Sequence, residues 1–246
     1  MEELHTSSLS LFSLKAACIA LAFHILSFYE EDSGREAGIS LLDCSRPGNV
    51  RYRIHSPAGC NTSSIHLVED ALHLALGVRP LGFAVECSEE PGGLRYEGLA
   101  GLMVRSYNRL ARRLLEELSR SSREYFVIVG WNGLYALGAA REDRVELPQL
   151  PAPVFMHTHP GPLCLPSFRD LESAAEFFAG GGVAEFIASS TCSYAILLKS
   201  HYTLDCYDKL REAAACVKRS AREDFYSYTE CLALLARSEC IEAATV

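Results

Sequence analysis

The sequence predicts an α/β (α+β) fold in which a mixed β-sheet is flanked by helices. Three observations lead to this prediction: apolar residues at helical spacing, short apolar runs bounded by turn residues, and the overall composition. Of the 246 residues, 49% are hydrophobic and 22% are charged, a balance that is typical of folded globular proteins. A chain of this length holds one sizeable domain or two small ones.

The first part of the chain, residues 1–97, opens with a long apolar segment that predicts a buried or amphipathic helix. Lys15 and His24 interrupt it, and the uncharged run they leave is shorter than the roughly 20 residues of a membrane span. Further along, this part predicts a strand, a helix and a second strand. The predicted elements are helices over residues 9–28 and 64–76 and strands over residues 39–42 and 81–85.

The second part, residues 98–246, predicts a longer series of elements. An Asn-Gly pair at Asn132 and Gly133 indicates a hairpin, and three glycines from Gly180 onwards end a helix. The predicted helices cover residues 102–121, 171–179, 204–221 and 224–240, and the predicted strands cover residues 125–129, 135–137, 153–156, 184–189 and 193–198.

The most informative stretch is His157-Thr158-His159-Pro160, followed by Ser167 and Asp170. Positions two apart on a strand point to the same face, so both imidazoles can converge on one ion. Asp170 lies about one turn into the following helix, which folds back over the strand end. Two imidazoles and one carboxylate form a three-ligand set that leaves a coordination position open, as in catalytic zinc sites.

A second interpretation of the same helix start stays open. Ser167 as N-cap and Asp170 three residues later resemble a capping box, in which each side chain bonds the backbone N–H of the other residue. A carboxylate there also lies at the positive end of the helix dipole.

The pattern from His157 to Asp170 resembles the JAMM motif of the JAB/MPN metalloproteases. That family also has a glutamate where a long helix meets the first strand of the domain, which implies Glu124. The sequence segment around Glu124 is similar to the corresponding segment in the RadC branch of the same superfamily. The resemblance implies a cytidine-deaminase-like sheet, a bound Zn²⁺ ion, and His157, His159 and Asp170 as its ligands.

The family resemblance also implies the catalytic roles. Glu124 would act as general acid and base on a metal-activated water, and Ser167 would bind the oxyanion that forms. Glu142 and Glu146 are the other candidates for the base.

A comparison of the chain with itself suggests two tandem copies. Pro57 precedes Ser64 by seven residues, as Pro160 precedes Ser167. In this alignment the ligand positions of the first copy are occupied by Ile54, Ser56 and Leu67. Residues 1–97 would then be a degenerate, metal-free copy, and residues 98–246 the metal-binding domain. Chance agreement between common helix signals is the competing explanation.

Net charge and cysteine usage limit the partners and the compartment. A net charge of −8 argues against a broad phosphate-binding surface, and so against nucleic acid. The acidic N-terminus is unlike a signal peptide, and with no membrane span expected, a cytoplasmic protein is predicted.

The ten cysteines form no Cys-x-x-Cys pair. Buried free thiols are expected at Cys206, Cys216, Cys231 and Cys240. The alternative of a few disulfides, which occur in the cytoplasm of hyperthermophiles, stays open.

The sequence thus predicts a JAMM-type zinc metallopeptidase or isopeptidase. By resemblance, its substrate would be a protein or peptide such as the tail of a ubiquitin-like or sulfur-carrier-like protein. Two alternatives remain: a non-enzymatic MPN-type metal-binding scaffold, and a RadC-like protein of DNA metabolism.

Overall fold

The computed structural model describes residues 2–76, 81–139, 151–220 and 225–246. It confirms a mixed α/β protein with two sheets flanked by helices. The chain divides into two compact units, and it passes between them more than once. The first unit contains Met1–Ala111, Val129–Ala136 and Leu150–Val154, and the second contains Arg112–Ile128, Leu137–Gln149 and Phe155–Val246.

The first unit is built around a 32-residue helix, α1 (Glu2–Ser33), which packs against two further helices and a three-stranded sheet. Strands β1 and β2 are antiparallel, whereas β2 and β3 are parallel, and β2 is central. The other elements are α2 (Thr62–Leu76), α3 (Tyr96–Leu110), β1 (Gly38–Asp43), β2 (Val50–His55) and β3 (Phe83–Ser88).

Helix α1 passes the test of length and composition for a membrane span over Ser7–Ser33. Core helices of globular units and signal sequences pass the same test. Of the most apolar window of α1, 78% is buried inside the protein, which fits the buried helix that the sequence predicts.

The second sheet has six strands in the order β5-β4-β6-β7-β8-β9. Helix α5 packs against α6, and α6 packs against α7. The strands are β4 (Tyr125–Val129), β5 (Tyr135–Ala139), β6 (Val154–Thr158), β7 (Ala184–Ala188), β8 (Ser193–Leu198) and β9 (Ile241–Thr245), and the helices are α4 (Arg112–Leu118), α5 (Phe168–Ala179), α6 (Leu204–Ser220) and α7 (Phe225–Ala233).

Two predicted helices differ from the structure. The helix expected over residues 102–121 is two helices, α3 and α4, which a turn at Ala111 separates. The helix expected over residues 224–240 is wrong in its second half. Helix α7 ends at Ala233, and Ile241–Thr245 forms strand β9, which pairs antiparallel with β8.

The expectation of free thiols is also wrong. All ten cysteines form disulfides, and none is free. Each bridge joins cysteines between 15 and 34 residues apart. The pairs are Cys18–Cys44, Cys60–Cys87, Cys164–Cys192, Cys206–Cys240 and Cys216–Cys231.

The helix start in the first unit corrects one step of the self-comparison. The side chain of Asn61 accepts a hydrogen bond from the N–H of Ser64 at 3.3 Å, so Asn61 is the N-cap of α2. Ser64 is the third helical residue, and its hydroxyl bonds Asp32 instead. Counted from the helix start, the position equivalent to Asp170 is therefore Ser64 and not Leu67.

Candidate metal centre

His157 and His159 lie at the end of β6, a strand whose five residues are all buried. This strand runs between β4 and β7 in the sheet. The backbone N–H of His159 donates to Ala188 O at 2.8 Å, which fixes the chain just beyond the strand end. The two Nε2 atoms are 3.2 Å apart, as the two-residue spacing predicts.

Asp170 reaches the histidines from the first turn of α5. Its Oδ1 lies 3.5 Å from His157 Nε2, and its Oδ2 lies 3.3 Å from His159 Nε2. The capping box is present as well: Ser167 Oγ accepts from the N–H of Asp170, and Asp170 Oδ2 accepts from the N–H of Ser167 at 2.6 Å. The two interpretations of Asp170 are thus compatible, because the cap holds the carboxylate where the imidazoles can share an ion with it.

The three side chains fit a metal ion. A tetrahedral ion with bonds of about 2.0–2.2 Å has ligand atoms about 3.4 Å apart. The two imidazole nitrogens are 3.2 Å apart, and each lies near that distance from one oxygen of Asp170, Oδ2 at 3.3 Å for His159 and Oδ1 at 3.5 Å for His157. One ligand atom from each of the three side chains lies within 4.8 Å of the others. Among the residues that the structure describes, this is the group of metal-ligating side chains that could hold an ion.

Electrostatics at the cluster favour a cation. Burial opposes ionisation of Asp170, but the charges and hydrogen bonds of His157 and His159 outweigh it and hold the pKa of that carboxyl far below its usual range. Burial lowers the pKa of His159, yet Asp170 and then Glu124 reverse the effect and raise it. The imidazoles therefore lie in a negative field, which also attracts a metal ion.

Glu124 is half-buried and directly precedes β4. The backbone N–H of Tyr125 donates to Thr158 Oγ1 at 2.9 Å, which ties the start of β4 to the residue between the two histidines. The charge of Glu124 contributes to the raised pKa of His159, and its role at the site stays a prediction. Glu142 and Glu146 lie outside the described residues.

The loop that leads into Ser167 is held at three points. The Cys164–Cys192 bridge joins it to the turn between β7 and β8, and Pro162 O accepts a hydrogen bond from Ser189 Oγ at 3.0 Å. Tyr228 of α7 donates its hydroxyl to Pro166 O. Burial and then the charge of Asp170 raise the pKa of Tyr228 to about 12, which keeps this hydroxyl a neutral donor.

Sequence reasoning missed Glu185, a strand residue that is 1% exposed. Its Oε1 lies 3.5 Å from His157 Nδ1. Burial, together with the charge of Asp170, raises the pKa of Glu185 well above its usual value. One signal was available: Glu185 is the single charged residue in the run Ala184-Glu185-Phe186-Ile187-Ala188, and carboxylates are seldom fully buried without a partner.

No family model matches the chain, and no curated protein and no solved structure matches it either. Its function is therefore inferred from its own residues.

Proposed function

We propose that this protein is a JAMM-like zinc-dependent metallopeptidase or isopeptidase. The observation that carries the proposal is the cluster of His157, His159 and Asp170. The two Nε2 atoms are 3.2 Å apart, Asp170 Oδ1 lies 3.5 Å from His157 Nε2, and Asp170 Oδ2 lies 3.3 Å from His159 Nε2. Two neutral imidazoles and a carboxylate are the donor set of catalytic zinc sites that keep one position open. Glu124, whose charge acts on His159, supplies the base that such a site needs.

Each residue has a distinct task in amide hydrolysis. A bound zinc ion would supply Lewis-acid activation of water and of the scissile carbonyl. Glu124 takes the proton of the attacking water and delivers it to the leaving amine, so that water is added across the C–N bond. Ser167 accepts from the N–H of Asp170, which leaves its hydroxyl proton able to donate to the developing oxyanion.

The proposed substrate is an extended segment of a protein or peptide, such as the tail of a ubiquitin-like or sulfur-carrier-like protein. Among the described strands, β5 is at the edge of the sheet, next to β4, and Glu124 directly precedes β4. An edge strand can accept an extended peptide through backbone hydrogen bonds. A tail that pairs there would lie on the side of the sheet that carries the base.

A metal-binding scaffold without turnover is the second candidate. It is favoured by the capping box, because Asp170 and Ser167 already have a structural task. The two candidates differ in what Glu124 does: it is essential to the enzyme and dispensable to the scaffold.

The test measures zinc content and cleavage of an isopeptide-linked substrate in three variants. Glu124→Ala should keep the metal and lose activity by at least about 100-fold, within the usual range for a general base. His157→Ala should lose both. Glu172→Ala is the matched control, because this helix residue forms only a half-exposed ion pair with Arg211 at 3.8 Å and should leave both unchanged.

Wild-type activity that survives unchanged in Glu124→Ala would remove the proposed base. Stoichiometric zinc without cleavage of any test substrate would favour the scaffold.

A further inference from the structure

The fully buried carboxyl of Glu185 has an unusual environment. It projects from β7, a strand whose five residues are all buried, and the strand neighbours β6 in the sheet. Among the described residues, neither Glu185 Oε2 nor His157 Nδ1 has a hydrogen-bond partner. Burying such a polar group costs stability unless a partner or a charge compensates it.

The two nitrogens of His157 have different neighbours. Nε2 lies 3.2 Å from His159 Nε2 and 3.5 Å from Asp170 Oδ1. Nδ1 lies 3.5 Å from Glu185 Oε1. Glu185 therefore meets the nitrogen that is not part of the ligand cluster. It is placed to accept a hydrogen bond from His157, not to act as a fourth ligand of the same ion.

We propose that Glu185 is a positioning residue for the metal centre: it accepts a hydrogen bond from Nδ1–H of His157 and so holds the ring with Nε2 directed at the ion. The proposal rests on the metal site of the proposed function, but not on the hydrolysis. Phe155 stacks on the same ring, with centroids 5.4 Å apart and planes inclined by 26°. The stack restrains the plane of the ring, and Glu185 restrains its rotation within that plane.

The experiment compares zinc affinity, by competition with a chromophoric chelator, and thermal unfolding of the metal-free protein in four chains. These are wild type, Glu185→Gln, Glu185→Leu and the control Glu172→Gln. Glu185→Leu should bind zinc about 10- to 100-fold more weakly, which is typical for loss of an outer-sphere partner. Glu185→Gln should lose less, because its amide oxygen can still accept from Nδ1–H.

Two readouts separate positioning from a merely structural role. The metal-free Glu185→Leu protein should unfold at the same or a higher temperature than wild type, because an unpaired buried carboxyl is replaced by an apolar group. The visible bands of the Co²⁺-loaded protein should shift in Glu185→Leu and stay in place in Glu172→Gln, which removes a carboxylate of α5 that pairs with Arg211.

Equal zinc affinity in wild type and Glu185→Leu would overturn the role of Glu185 and leave the metal centre intact. A weaker affinity matched by an equally large loss of metal-free stability would overturn it too. A wild-type protein that binds no zinc would remove this inference and the proposed function together.

Discussion

Asp170 takes part in two arrangements that often belong to different residues. It completes the capping box of α5 through its bond from the N–H of Ser167, and it lies 3.3–3.5 Å from both histidines. The cap removes the freedom of the carboxylate before any ion binds. Part of the entropy cost of assembling a metal site is therefore met by helix formation.

Substitution of Asp170 should separate these two tasks. Asn can still accept from the N–H of Ser167, whereas Ala cannot, so metal-free Asp170→Ala should be less stable than metal-free Asp170→Asn by about 1 kcal/mol. Both variants should bind zinc far more weakly than wild type, because both lose the anionic ligand. Denaturant unfolding and chelator competition measure the two effects. Equal stability of the two metal-free variants would show that the cap contributes nothing.

The sequence predicted that His157, His159 and Asp170 could share an ion because they lie close together along the chain, and the structure brings these three side chains together. Asp170 lies thirteen positions after His157, so a strand end and a helix start suffice to bring them together. Glu185 and Tyr228 were missed for the opposite reason. Each reaches the site from an element that is distant in sequence, and in isolation each is compatible with a plain strand or helix residue.

At the level of elements, local signals again decided what could be predicted. Strand β4 and strand β8 have the bounds that their apolar runs predict. Gly133 adopts the positive φ of 75° that the Asn-Gly turn requires. Strand β9 was missed because Ile241-Glu-Ala-Ala-Thr has little strand propensity. It becomes a strand through pairing with the edge of β8, which the sequence does not display.

The start of α3 depends on a buried phenol that links it to α1. Tyr96 donates its hydroxyl to Glu30 Oε2 at 2.7 Å, and Glu30 Oε1 also accepts from the N–H of Ala37 at 2.8 Å. Burial, followed by the hydrogen bond to Glu30, raises the pKa of Tyr96. Tyr96 therefore favours the folded state only while it is protonated.

This shift predicts a loss of stability in alkali. The contribution of Tyr96 is fully present below pH 10, the usual pKa of an unfolded tyrosine, and is lost as the pH rises from there towards the folded pKa. The slope for one such group is at most about 1.4 kcal/mol per pH unit. Urea unfolding between pH 8 and pH 11 should show a shallower decline in Tyr96→Phe than in wild type. Parallel declines would assign the effect to other groups.

The two units share an order of elements on the scale of the whole chain. In the first, a strand, a helix and a strand (β2, α2, β3) follow β1, and β2 pairs with both β1 and β3. In the second, β6, α5 and β7 follow β4, and β6 lies between β4 and β7. The Cys60–Cys87 and Cys164–Cys192 bridges each start in the strand–helix loop and join cysteines 27 and 28 residues apart. The first ends within β3, and the second ends in the turn after β7.

These parallels support the proposal of an internal duplication in which strand β5 is an addition to the second copy. Where the second unit has His157, His159 and Asp170, the first has Ile54, Ser56 and Ser64. Ile54 and both serines are fully buried, so these positions are filled by packing. In a copy that no longer binds metal, apolar or small residues can replace the ligands at little cost in stability. Retaining a buried charge without its ion would destabilise the fold.

Five disulfides also bear on where such a chain can fold. Each bridge restricts the unfolded chain and typically contributes about 2–4 kcal/mol. Bridges persist in oxidising compartments and in the cytoplasm of hyperthermophiles, but are rare in other cytoplasmic proteins. The cytoplasmic location predicted from the sequence therefore stays a prediction, and five bridges would be unusual there outside a hyperthermophile.

The number of zinc ions bound per chain tests the metal assignment of both units in one measurement. The wild-type chain should bind one zinc ion, because the described residues of the first unit contain no cluster of metal-ligating side chains. His157→Ala should bind none, and Ser56→Ala, at the position that corresponds to His159, should still bind one. Elemental analysis of dialysed protein, with protein concentration from amino-acid analysis, gives these ratios directly. Two ions in the wild type, or retention of one in His157→Ala, would place a metal site outside the cluster of His157, His159 and Asp170 and contradict the assignment of the first unit as the metal-free copy.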